Sequence, residues 1–180
     1  YENSFSEKAA EDANKIYRQV LTSATDNSII FIAIGPLTNL SNLLKSESDN
    51  ISSENGKELI SKKIKRLVLM AGCFFEKNSY VEAEWNVKID IPSARYVFEN
   101  WPTEMVFCPY EVGAPIITGK DFVNHADDNN PVKKAYELYC QNDGRSSWDP
   151  ATVYYAVRGK TDFFIESEKG IISVNEQQVI

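Results

Sequence analysis

SIIFIAIGPLTNLSNLL (28–44) decides the fold. Its first eight residues are a short, nearly continuous apolar run, the pattern of a strand buried on both faces of a parallel sheet. Gly35 and Pro36 stop the run, and LTNLSNLL (37–44) continues at helical spacing. The unit is a strand, a tight turn and a helix.

The same alternation runs outward in both directions. Upstream, Phe5, Ala9, Ala13, Ile16, Tyr17, Val20 and Leu21 fall near one face, so Ser4 to Leu21 reads as an amphipathic helix, with Ser4 and Glu7 as a capping box. Downstream, 45–65 is polar and reads as an exposed loop plus a short helix without chemistry. RLVLM (66–70) is a second buried strand ended by Ala71 and Gly72, and Pro92 opens a helix to about Asn100. EMVFCP (104–109) is a third strand, 131–140 a helix, and WDPATVYYAV (148–157) is helical after Pro150. FFIESEKGIISVN (163–175) reads as a β-hairpin with Lys169 and Gly170 near its turn. Strands alternating with helices give an α/β class with an open, mostly parallel sheet and flanking helices, one domain over residues 1–180. Ligands in such sheets sit beyond the carboxyl ends of the strands, so the turns after Ile34, Met70 and Phe107 are the places to search.

Composition narrows the partners. With 19 Lys and Arg against 26 Asp and Glu, the net charge of −7 offers no basic surplus to neutralise phosphates, which argues against nucleic acid. No run of about 18 apolar residues occurs, so no membrane span is expected. Neither a basic nor an apolar leader opens the chain, which leaves the compartment unassigned. Cys73, Cys108 and Cys140 form no C-x-x-C pair, which argues against zinc and against a disulfide framework and leaves a single buried pair open. His125 is the one histidine, in the polar loop NHADDNN (124–130), where it reads as exposed and incidental and Asp127 and Asp128 as solvated.

Three constellations can carry chemistry. IGPLTNL (34–40) frees backbone groups at a strand end; its ordinary reading is a strand-to-helix turn with Thr38 or Asn39 bonding nearby backbone. In EAEWN (82–86), an extended segment puts Glu84 and Asn86 on one side, a carboxylate and an amide suited to sugar hydroxyls. The alternative is a solvated loop with Trp85 covering the core. In SWDPATV (147–153), Asp149 before Pro150 is either a helix N-cap or an oxygen ligand for a hard cation, with Trp148 presenting a flat face to a ligand.

In this order and spacing the three segments resemble the inosine–uridine-preferring nucleoside hydrolase family, from Ser28 to about Gly159. The resemblance implies hydrolysis of the N-glycosidic bond of ribonucleosides with one bound calcium ion (Ca2+). It implies that Ile34 gives calcium its backbone carbonyl and Asp149 its carboxylate. Glu84 and Asn86 would bind the ribose hydroxyls, with Trp85 between them and Met70 lining the sugar pocket. Trp148 stands where many members carry a histidine that protonates the leaving base, which implies a purine preference through stacking. The family's N-terminal motif of the form DTDxGxDD, which supplies two further calcium aspartates and the catalytic base, has no counterpart here. The chain is therefore expected to lack the family's first strands, to be inactive alone, and to associate with a missing N-terminal piece or with itself. A non-catalytic relative that binds a nucleoside or sugar is the competing expectation.

Overall fold

The computed structural model describes residues 10–74, 84–140 and 143–174. The chain runs α1 (Ala13–Ser23), β1 (Ile29–Ala33), α2 (Thr38–Lys45), α3 (Gly56–Lys63), β2 (Ile64–Leu69), α4 (Trp85–Lys88) and α5 (Ile91–Asn100). It continues through β3 (Glu104–Phe107), α6 (Tyr110–Gly113), β4 (Ile117–Thr118), α7 (Lys120–His125), α8 (Pro131–Cys140), β5 (Arg145–Ser146) and α9 (Trp148–Arg158).

The main sheet has the order β1-β2-β3, all parallel, and β4 and β5 form a separate antiparallel pair. Alternation along β2 sorts its side chains between two cores. Leu67 and Leu69 belong to a core with Leu21, Leu40, Leu43, Leu59 and Val97, so α1, α2, α3 and α5 cover that face. Val68 points the other way, to Cys108, Tyr155 and Ala156 under α9. This is a three-layer α/β/α arrangement, in agreement with the class read from the sequence.

Burial corrects one detail. Only β2, the central strand, is largely buried, whereas β1 and β3 are mostly half-buried. Ile30 on β1 and Ile34 just beyond it are 43% and 44% exposed. β1 is an edge strand among the described residues, so its apolar run records packing on its faces and not enclosure.

Local chemistry sets the helix ends. Asp12 caps α1 by accepting from Lys15 N at 3.0 Å, so the helix begins after the Ser4 start read from periodicity; Ser4 and Glu7 lie outside the described residues. Asn55 and Glu58 form a reciprocal capping box at α3. Asp90 caps α5 ahead of Pro92 and also accepts from Thr38 Oγ1, so Thr38 reaches a side chain across the fold and not the nearby backbone.

The segment 163–173 does not form the hairpin read from its alternation, and Asn175 lies outside the described residues. Its side chains are engaged elsewhere. Phe164 packs on Tyr155, Glu166 accepts from the Tyr155 hydroxyl, and Lys169 pairs with Glu104. Ile165 and Ile171 are left 99% exposed. Contacts to α9 and β3 have replaced strand pairing within the segment.

Candidate functional site

The three parallel strands end in register. Ala33, Leu69 and Phe107 form one row, Met70 N donates to Ala33 O at 2.9 Å, and Cys108 N donates to Leu69 O at 2.7 Å. Ile34, Met70 and Cys108 therefore stand together at the carboxyl rim, the expected place for a ligand. After β2 the chain turns at Gly72, whose φ of 85° is the left-handed backbone that favours glycine.

That turn receives Glu84. The carboxylate accepts from Gly72 N at 3.2 Å, Asn86 N at 2.8 Å and Val87 N at 3.3 Å. Glu84 is thus the N-cap of α4, and 84–86 is not the extended segment read from the sequence. Capping explains the reversal: a carboxylate facing open helix amides satisfies them, and the chain coils to bring them there. Asn86 still comes to the same place, donating through Nδ2 to Met70 O at 2.9 Å and to Met70 Sδ at 3.2 Å. This fixes the amide and leaves Oδ1 to accept. Trp85 is 68% exposed and covers no core. Glu82 and Ala83 lie outside the described residues.

Asp149 is the second residue of α9, and Ser147 holds the cap position, so Asp149 is not the N-cap. Its carboxylate has no hydrogen-bond partner among the described residues. It opens with Ile34 onto a cavity of about 550 Å³, whose other walls are Pro150, Val153, Tyr154, Val157 and Arg158. Among the described residues no N–H donates to the Ile34 carbonyl. Burial pushes the Asp149 carboxyl above the usual carboxylate range. Burial also raises Glu84, against the pull of its three backbone donors, and the charge of Asp149 adds to the rise. Two carboxylates that feel one another at a strand rim are a place where positive charge is favoured.

Trp148 opens α9 directly before Asp149. Its Nε1 donates to Tyr110 O at 2.9 Å, and the two rings lie 5.3 Å apart at 32°. Gly113 lets α6 come this close, since a Cβ there would meet Trp148 Cα at 2.3 Å. The Arg145 guanidinium lies 5.1 Å from the Trp148 ring centre.

Five residues singled out from the sequence are thus brought to one rim: Ile34, Met70, Glu84, Asn86 and Asp149, with Trp148 adjoining. Tyr110 and Arg145 were missed. Arg145 sits inside GRSSWDP (144–150), so its nearness to Asp149 was the available signal. His125 is the last residue of α7 and bonds Asp121 O, so Asn124 and His125 are helical and not in the loop read from the sequence, while Asp128 pairs with Lys133 beyond it. Among the described residues no disulfide joins Cys73, Cys108 and Cys140 to one another. Among the described residues no group of three or more His, Cys, Asp or Glu is placed to hold a metal ion. The fit to calcium is one of kind: a carboxylate and a carbonyl are hard oxygen donors, two of the roughly six to eight that calcium takes.

The chain is 33% identical over 107 residues to the non-specific ribonucleoside hydrolase RihC of Salmonella paratyphi A, a match covering 59% of this chain and 31% of that protein. The RihC proteins of Salmonella newport and Salmonella dublin match to the same extent, 33% over 107 residues, 59% of this chain and 31% of each. The matched region thus spans about a third of the length of these curated relatives. The family model described as inosine-uridine preferring nucleoside hydrolase matches residues 2–179. The chain belongs to the inosine-uridine preferring nucleoside hydrolase family.

Proposed function

We propose that this chain carries the sugar pocket and part of the calcium site of a ribonucleoside N-glycosidase with a preference for purine nucleosides. The observation that carries the reading is the convergence of Ile34, Met70, Glu84, Asn86 and Asp149 at the carboxyl rim of a parallel sheet. Asn86 Oδ1 accepts from one ribose hydroxyl, because its Nδ2 is held by Met70. Glu84 Oε1, bonded among the described residues only to Asn86 N, keeps a lone pair for a second hydroxyl. Met70 lies against the sugar, and exposed Trp85 forms the outer wall. Asp149 and the Ile34 carbonyl would be the residues that hold calcium. When bound, calcium supplies a polarised water as nucleophile for the anomeric carbon.

Fixed acceptors at the hydroxyls keep the sugar in place as its ring flattens toward an oxocarbenium ion. The Trp148 ring, backed by Tyr110 at 5.3 Å and 32°, would stack on the base, and the breadth of an indole favours a two-ring base. The test is ribose release from inosine and uridine by the natural protein carrying this sequence, with and without a calcium chelator. Release that the chelator abolishes, faster from inosine, is expected. No release together with no calcium binding by calorimetry overturns the enzyme reading in favour of a non-catalytic nucleoside binder.

A further inference from the structure

The reaction set out above makes no use of Arg145, an exposed residue on the two-residue strand β5. Its backbone pairs with Thr118 across β4 and β5. Its guanidinium lies 5.0 Å from the Tyr139 ring centre and 5.1 Å from that of Trp148. Tyr110 follows on Trp148, so the rings and the cation form one cluster beside Asp149. Two other arginines of the fold engage carboxylates: Arg18 reaches Asp49 at 2.9 Å and Arg66 reaches Glu104 at 2.7 Å. Among the described residues, no group accepts a hydrogen bond from the Arg145 guanidinium. Aromatic faces orient a guanidinium and leave its N–H edge open.

We propose that Arg145 reads the O6/N7 edge of a 6-oxopurine and holds the negative charge that this base takes up as it departs; the role rests on the hydrolase reading above. A guanidinium offers two parallel N–H donors, which match the O6 and N7 acceptors of hypoxanthine and guanine. Adenine presents a donor in place of O6, so it pairs with only half of the fork. Arginine stays charged at every relevant pH, so it stabilises an anion and does not donate the proton itself. In the step, the water oxygen bonds to the anomeric carbon as the carbon–nitrogen bond breaks, and the electron pair of that bond goes to the base. One water proton passes to solvent, and the departed base takes one proton from solvent. His125 is bonded to Asp121 O.

The test compares inosine, adenosine and a nitrophenyl riboside in the natural protein. Arg145→Met should lower kcat/KM on inosine about 100-fold and bring the inosine-to-adenosine ratio near one. Nitrophenyl riboside hydrolysis should change less than about threefold, because that leaving group departs unaided. Arg145→Lys should keep part of the rate on inosine and still lose the discrimination, since an ammonium lacks the fork. Equal losses on all three substrates, or unchanged inosine kinetics in either variant, overturn the role of Arg145. No turnover of any riboside by the unaltered protein overturns the hydrolase reading itself, and this role with it.

Discussion

Two regions of the molecule combine an arginine with an aspartate, and they use them in opposite ways. Beneath α1, Arg18 is 1% exposed and its guanidinium is fully engaged. It donates to both carboxylate oxygens of Asp49 at 2.9 and 3.0 Å, to Ser46 Oγ at 3.0 Å, and to the Ser52 and Glu54 carbonyls at 3.2 and 3.0 Å. At the carboxyl rim, Asp149 has no hydrogen-bond partner among the described residues, and Arg145 rests on aromatic faces. The titrations follow the wiring. Hydrogen bonds from Arg18 pull Asp49 down to about 2, whereas burial pushes Asp149 up. Groups whose partners are all internal hold the fold together, and groups left open to a cavity are free to meet a ligand.

The largest expected effect breaks the closed region. Arg18→Met removes donors to three backbone-anchored loop groups and leaves Asp49 beside an apolar chain. Breaking such a buried network costs about 3–5 kcal/mol, a large part of a typical domain's stability. Urea unfolding should show that loss, and a change below about 1 kcal/mol would mean that water replaces the network at no cost.

Asp149→Ala acts on the open region and should show the reverse pattern. Losing partners of metal ligands costs about 10–100-fold in affinity, so losing the ligand should cost calcium binding at least about 100-fold. Stability should change by no more than about 0.5 kcal/mol, because no protein hydrogen bond is lost. The sign of the pH effect follows from the raised carboxyls. Above their elevated pKa values Glu84 and Asp149 are charged and desolvated, which favours unfolding until a cation binds. Calcium should therefore raise Tm more at pH 7 than in acid. Unchanged calcium affinity in the variant would remove Asp149 from the metal site.

The alternation of apolar strands and helical segments was legible because periodicity reports which faces are covered. Sheet order, edge exposure and the fate of 163–173 were not, since they depend on partners distant in sequence. At the site, the identities of Asp149, Glu84, Asn86, Met70 and Ile34 could be read from three short motifs. Their geometry could not. Glu84 was read on an extended segment, and the capping demand of α4, with Gly72 as a third donor twelve residues away, turns it into a helix start. Asp149 before Pro150 looked like a cap, yet the helix starts at Trp148 and leaves the carboxylate clear. Arg145 escaped because stacking between rings has no sequence period.

Acid sharpens the contrast on the closed side. The folded pKa of Asp49 is about 2 against an ordinary 3.8, so the unfolded chain binds more protons between these values. Its contribution is complete above about pH 4 and is lost as pH falls toward 2. Asp49→Asn should therefore flatten the stability profile over that window, measured by urea midpoints from pH 5 to 2. High salt should narrow the difference, because the carboxylate side chain is 37% exposed. A variant whose acid limb matches the unaltered protein would show that Asp49 carries no linkage.

The smallest expected effect tests whether the open side is free of structural duty throughout. Trp85 sits on a single-turn helix held by the Glu84 cap and by Asn86 bonding to Met70, not by its own ring. An indole 68% exposed gives up little packing when truncated, so Trp85→Ala should leave stability within about 0.5 kcal/mol. If the ring walls the sugar pocket, KM for inosine should rise while kcat holds, because a contact made equally in ground and transition states affects binding alone. A stability loss of about 2 kcal/mol would place the indole with Arg18 among the structural groups. Unchanged kinetics and stability together would leave the sugar to Glu84, Asn86 and Met70, and confine the open region to the inner rim.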